Sequence, residues 1–178
     1  MRPSSERARE LALALGFDLA GIAAPDPSAE TEYFRSWLAA GHAGEMTYLA
    51  NGEEERVDPR RVMDGVRSIV CVGLVYDPGD RGADRAGAGL VARYAGGEDY
   101  HEVLGERLEA LAAGLEALAE RPVRTRAYVD TGPVLERVLA ARAGLGWIGK
   151  NACRIRPRRG PRPVPGRRFT DLDLATDA

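Results

Sequence analysis

The spacing of apolar positions changes along the chain, and each change marks an element. Leu11, Ala12 and Leu15 make a helical stripe that Ser4 or Ser5 can cap and Gly16 can stop. Residues 17–23 alternate apolar and polar before Pro25, which predicts a strand. A second helix is expected from Ala29 to Gly41, with Tyr33, Phe34, Trp37 and Leu38 on one face, and aromatics at that spacing are expected in the core. Residues 42–49 read as a short helix or turn. Residues 51–58 read as an acidic, exposed stretch with Arg56 as its one cation. Ser68–Val75 is almost continuously apolar, so a strand covered on both faces is expected, with Cys71 as a small core residue.

Residues 77–89 are rich in Gly, Asp and Ala and read as a flexible loop or lid, followed by a short strand at 90–94. The clearest helix spans 99–120, where Leu104, Leu108, Leu111, Leu115 and Leu118 recur in steps of four and three. At about two heptads the stripe is too short for a coiled coil. Residues 123–129 alternate as a strand into Asp130. Pro133 suits the first turn of a further helix, and Gly144 its end. This order implies an α/β fold, more narrowly an α+β sandwich, with a sheet covered by helices. Residues 154–168 break the pattern. They hold seven arginines, four prolines and no acid, a composition expected to be poorly ordered and to form neither a regular helix nor an interior strand.

Composition narrows the chemistry. The 178 residues suffice for one domain with a real core. A net charge of -2 argues neither for nor against nucleic acid. Cys71 and Cys153 make no disulfide framework or zinc site, and His42 and His101 form no metal-binding pair. With no signal peptide or apolar span in the sequence, a cytoplasmic location away from membranes is expected.

Three segments carry candidate chemistry. Asp130 ends an apolar strand, where a carboxylate can aim into a cleft; the same position also suits a helix N-cap. Gly144-Leu-Gly-Trp-Ile-Gly149 fits G-x-G-x-x-G, but a helix is expected before it and an arginine-proline stretch follows, the wrong context for a dinucleotide site. A loop allowing close backbone approach to some other ligand stays open. Arg93-Tyr-Ala-Gly-Gly-Glu-Asp-Tyr-His101 packs cation, aromatic and histidine into one turn, which as a surface turn needs no function.

Taken together, Arg93–His101, Val129-Asp-Thr-Gly-Pro-Val-Leu-Glu-Arg137 and Ala143-Gly-Leu-Gly-Trp-Ile-Gly-Lys150 resemble epoxyqueuosine reductase, with His42-Ala-Gly-Glu-Met46 and Arg56-Val-Asp-Pro59 in the family's order. The resemblance implies a cobalamin-binding domain over residues 1–153, related in fold to reductive dehalogenases. It implies reductive removal of the epoxide oxygen of epoxyqueuosine at the tRNA wobble position. Asp130 is then the proton donor, and Arg56, Ala92, Arg93, Lys150 and Asn151 lie around the corrin with it. The family's [4Fe–4S] clusters need clustered cysteines that this sequence lacks, so a truncated form with a separate electron donor is expected. The alternatives are a non-catalytic corrinoid- or tRNA-binding module and a flavin or nucleotide oxidoreductase. Residues 154–178 then form an atypical tail, either a local frame disruption or a basic arm touching RNA phosphates.

Overall fold

The computed structural model describes residues 4–76, 89, 92–155 and 163–177. The first helix, α1 (Ser5–Ala14), is capped by Ser4, whose Oγ accepts from the amide of Arg7 at 3.2 Å. Strand β1 (Leu19–Ala23) follows. Three short helices, α2 (Glu30–Ala39), α3 (Thr47–Asn51) and α4 (Glu53–Val57), lead to β2 (Ser68–Val75). Asp99 caps the long α5 (Tyr100–Ala119), accepting from the amide of His101 at 2.9 Å. Then come β3 (Thr125–Val129), α6 (Glu136–Arg142), the ribbon of β4 (Trp147–Ile148) and β5 (Arg154–Ile155), and β6 (Pro163–Thr170).

The main sheet has the order β1-β2-β6-β3, and all its pairs are antiparallel. Alternation sends Ile22, Val70 and Val72 to the face covered by α1 and α5, where Leu104, Leu108, Leu111 and Leu115 are fully buried. Leu19, Ile69, Cys71 and Phe169 go to the other face, under Val134, Leu139 and Ala140 of α6 and its approach. The α+β sandwich expected from the order of elements is therefore present. Strand β2 is covered on both faces as its apolar run predicts, although in an antiparallel sheet. Among the described residues, no helix is long and apolar enough to cross a membrane.

The arginine-rich stretch overturns its expectation. Residues 163–170 form an interior strand between β2 and β3. Three features make this possible. Pro163 and Pro165 lie opposite Val75 and Gly73, beyond the end of β3, where among the described residues β2 alone pairs with the strand and missing amide donors cost least. Gly166 has no side chain to push against Leu104, Leu108 and Val72. Arg167 and Arg168 alternate to opposite faces, and each meets a helix glutamate, Glu136 on α6 and Glu109 on α5. The strand shows that residues 163–170, with two arginines and two prolines, can pair inside a sheet. Residues 156–162 lie outside the described residues.

Other local expectations also shift. Helix α2 buries no residue and Tyr33 is exposed, because α2 contacts α4 at the surface rather than the sheet. Residues 51–58 are not a solvated acidic loop, since α4 buries Arg56 and Val57. Residues 93–95 make a 3-10 turn instead of a strand, and 90–91 lie outside the described residues, as do 77–88 of the expected lid. Pro133 precedes α6 by three positions rather than opening it.

Candidate functional site

Strand β3 carries the chain to Asp130, which adopts a left-handed backbone with φ of 59°. Asp tolerates that region better than most residues because its short side chain can bond locally. The turn is then tightened by the Thr131 amide donating to the Val129 carbonyl at 2.6 Å and by the Val134 amide donating to the Gly132 carbonyl at 2.9 Å. Helix α6 begins only at Glu136, with Leu135 at its N-cap. Asp130 is therefore not the helix cap that the local sequence also allowed. Its Oδ2 instead accepts from the Tyr100 hydroxyl at 2.9 Å.

Asp130 stands at one side of a cleft of about 370 Å³. Tyr76, Tyr94 and Tyr100 form an aromatic wall and meet edge to face with centroids 6.3 Å apart in both pairs. Pro163, Val164 and Pro165 of β6 add apolar surface. Glu136, Arg137 and Cys153 bring the other polar groups. Burial, followed by the Asp130 carboxylate, raises the Tyr100 phenol to about 12. At neutral pH Tyr100 is thus a hydrogen-bond donor only to Asp130, not an acid. The imidazole of His101 stacks on Tyr100, with centroids 4.1 Å apart. Its Nδ1 bonds Asp99 at 2.8 Å, while Nε2 lies 4.0 Å from Asp130 Oδ2. The backbone amide of His101, and then its imidazole, hold the Asp99 carboxyl below its ordinary range.

The sequence-predicted site residues are only partly gathered. Asp130 lines the cleft, and among the described side chains Arg56, Ala92, Lys150 and Asn151 do not; the Arg93 side chain lies outside the described residues. Two lining residues are close to most of them in sequence. Tyr94, beside Ala92 and Arg93, lines one wall, and Cys153 lines another just after Lys150 and Asn151. Lys150 and Asn151 are exposed at the turn of the β4–β5 ribbon, where Asn151 Oδ1 accepts from the Cys153 amide at 3.1 Å. Arg56 lies apart. Its guanidinium is buried under Gly52 and donates to the Tyr48 carbonyl at 3.3 Å, and burial lowers its pKa. The loop 144–149 leads into the ribbon and no helix follows it among the described residues, so the dinucleotide pattern lacks its required context.

Sequence reasoning missed Tyr100, Glu136 and Arg167 as site residues. Only Tyr100 carried a signal, as the residue after a helix-capping Asp in the turn that precedes α5. The cleft suits a largely apolar ligand, with the Asp130 carboxylate at one side.

The family Epoxyqueuosine reductase QueG, DUF1730, matches residues 56–131, which include Arg56 and Asp130. The epoxyqueuosine reductase of Gloeobacter violaceus is 44% identical over 176 residues, covering 98% of this chain and 54% of that protein. The similarity therefore runs through the arginine-rich stretch. The epoxyqueuosine reductase of Leadbetterella byssophila is 35% identical over 178 residues, covering 99% of this chain and 58% of its own length. A crystal structure of epoxyqueuosine reductase with a tRNA-Tyr epoxyqueuosine-modified stem loop superposes with a TM-score of 0.84 at 28% identity, covering 97% of this chain and 46% of that one. A B12-dependent reductive dehalogenase shares the fold alone, with a TM-score of 0.60 at 16% identity over 99% of this chain and 20% of that one. The chain is similar to epoxyqueuosine reductases along nearly its whole length and spans about half the length of the curated relatives it matches.

Proposed function

We propose that this chain is the cobalamin-binding and proton-delivering part of an epoxyqueuosine reductase, acting on epoxyqueuosine in tRNA to give queuosine. One observation carries the reading: Asp130, on a left-handed turn, is tethered by Tyr100 at the mouth of a tyrosine-walled cleft. When bound, cobalamin would supply the reducing electrons. The tyrosine wall and the β6 prolines would hold its apolar surface. The Ala92–Arg93 backbone, Lys150 and Asn151 would contact its polar edge, and Arg56 would brace the surrounding helices from beneath.

The chain's own chemistry is proton delivery. Loss of the epoxide C–O bond leaves an alkoxide, so an acid must stand within hydrogen-bond reach. Asp130 occupies that role, its proton passing to the freed oxygen and its carboxylate remaining bonded to Tyr100. An ordinary aspartate, with a reference pKa of about 3.9, is a poor acid at neutral pH. A carboxyl from which an apolar ligand excludes water favours its neutral form. Electrons reach the site from elsewhere, since two cysteines are too few for a cluster's four ligands and Cys71 is buried in the core. Reading 154–168 as an RNA arm loses Arg167 and Arg168, which are buried.

The test is direct. The purified chain is loaded with hydroxocobalamin, freed of excess ligand and given a chemical reductant with an epoxyqueuosine-bearing tRNA stem loop. Retained corrinoid and queuosine formation that depend on Asp130 are expected. Full turnover by Asp130→Asn would remove the residue from the mechanism, and failure to retain corrinoid would overturn the cofactor assignment.

A further inference from the structure

The β4–β5 ribbon stands outside the main sheet, with two residues in each strand. A two-stranded ribbon of that size has little stability of its own. Buried apolar side chains anchor little of it, since Trp147, Ile148 and Ile155 are exposed. Its turn is closed by the Gly149 amide donating to the Cys153 carbonyl at 2.8 Å and by the Ala152 amide donating to the Gly149 carbonyl at 2.9 Å. Ala152 sits there under strain, because its φ of 56° lies in the left-handed region that an alanine side chain disfavours. A residue so placed persists only where its surroundings over-determine it. Arg137 meets that need. It lines the cleft from the first turn of α6 and donates through Nη1 to the Ala152 carbonyl at 2.6 Å. The Leu145 amide, donating to the Ala140 carbonyl at 3.0 Å, ties the approach of the ribbon to the same helix. Arg137 ties its far end.

We propose that Arg137 is a positioning residue for the ligand of this cleft: it holds the 149–153 turn so that Lys150 and Asn151 meet the ligand's polar edge while Cys153 keeps its place in the wall. This rests on reading the cleft as a corrinoid site. Lys150 and Asn151 are exposed and ready to act as donors. Asn151 is already oriented, since its Oδ1 accepts from the Cys153 amide at 3.1 Å and leaves its NH2 group to donate. Two such donors suit carbonyl oxygens, such as the carboxamides on a corrinoid rim. A bond from a guanidinium to a carbonyl is charge-assisted and stronger than a neutral one. Without it the donors would ride on a loose ribbon, and binding would have to order the turn, which lowers affinity. Asp130 stays bonded to Tyr100 throughout. The loss of Arg137 therefore falls on ligand retention rather than on the proton step.

The test needs no turnover. The full chain is titrated with hydroxocobalamin, and hydrogen exchange at the Gly149 and Ala152 amides is followed by NMR on the free protein. Arg137→Met should keep the urea midpoint of the parent, speed exchange at both amides and weaken hydroxocobalamin binding about tenfold. Arg137→Lys keeps a donor and should recover part of both losses. Ala152→Gly in the Arg137→Met background relieves the left-handed strain and should slow exchange at Gly149 again. Unchanged exchange in Arg137→Met overturns the positioning role, whatever the binding does. Faster exchange with binding equal to the parent overturns the link to the ligand. A parent chain that fails to bind hydroxocobalamin rejects the corrinoid reading instead, and the exchange rates still decide whether Arg137 holds the turn.

Discussion

The Tyr100 hydroxyl donates to Asp130 Oδ2 at 2.9 Å, joining the first turn of α5 to the end of β3 across 30 positions of sequence. The bond holds the carboxylate of an otherwise strained turn at the cleft mouth. Removing the donor should free that carboxylate without disturbing the core. Tyr100→Phe is expected to keep its thermal stability within about 1.5 kcal/mol, the net worth of one hydrogen bond. Queuosine formation should fall while corrinoid retention is preserved. Spectra of the loaded variant beside single-turnover rates separate the two.

The same phenol predicts an alkaline limit. Its folded pKa of about 12 stands above its ordinary 10. A group with a raised folded pKa contributes stability that is complete below the unfolded value and lost as pH rises through the folded one. Unfolding midpoints should therefore drop between about pH 10 and 12, and Tyr100→Phe should flatten that drop. Denaturation curves collected across this window give the comparison.

Asp130→Asn tests the cap reading as well as the mechanism. A lost N-cap would cost about 1 kcal/mol. Because Leu135 rather than Asp130 precedes α6, the urea midpoint is expected to stay near that of the parent chain. A loss of cap size would place Asp130 in the fold rather than the site.

The pair of Arg168 and Glu109 should respond asymmetrically. The guanidinium is 5% exposed and bonds both glutamate oxygens, at 2.9 and 3.1 Å, whereas Glu109 is 73% exposed. Glu109→Ala strands a buried cation and should cost about 1–3 kcal/mol. Arg168→Met leaves a glutamate in water and should stay within about 1 kcal/mol. The bond from Arg168 also holds the Glu109 carboxyl below its ordinary 4.5. That contribution is present above 4.5 and is lost as pH falls through the folded value, so parent and Glu109→Ala curves should converge in acid.

Gly21 sets how closely β1 approaches the end of α6. A Cβ there would lie 2.0 Å from the Ala143 carbonyl oxygen. Gly21→Ala should destabilise by about 1–3 kcal/mol through overpacking. A denaturant midpoint equal to that of the parent would show that α6 can yield.

The helices α1 and α5, the buried strand β2 and the approach of β3 to Asp130 were determined by local sequence, because each depends on a periodic apolar pattern or a capping residue close by. Ser4, Asp99 and the leucines at 104, 108, 111 and 115 needed no distant partner to be read. The antiparallel order of the sheet, the burial of Arg56 and the exposure of Tyr33 on α2 were decided only by tertiary packing. The strand at 163–170 makes the distinction clearest. By composition it is too basic and too rich in proline to be interior. Its arginines are tolerated because glutamates on α5 and α6 meet them from opposite faces, and its prolines because β3 ends before reaching them. A buried charge is acceptable only when its counter-charge is in place, and that partner stands 31 residues away at Glu136 and 59 away at Glu109. The site follows the same division: Asp130 could be read from its strand end, whereas Tyr100, Glu136 and Arg167 became its surroundings only when α5, α6 and β6 closed on one sheet.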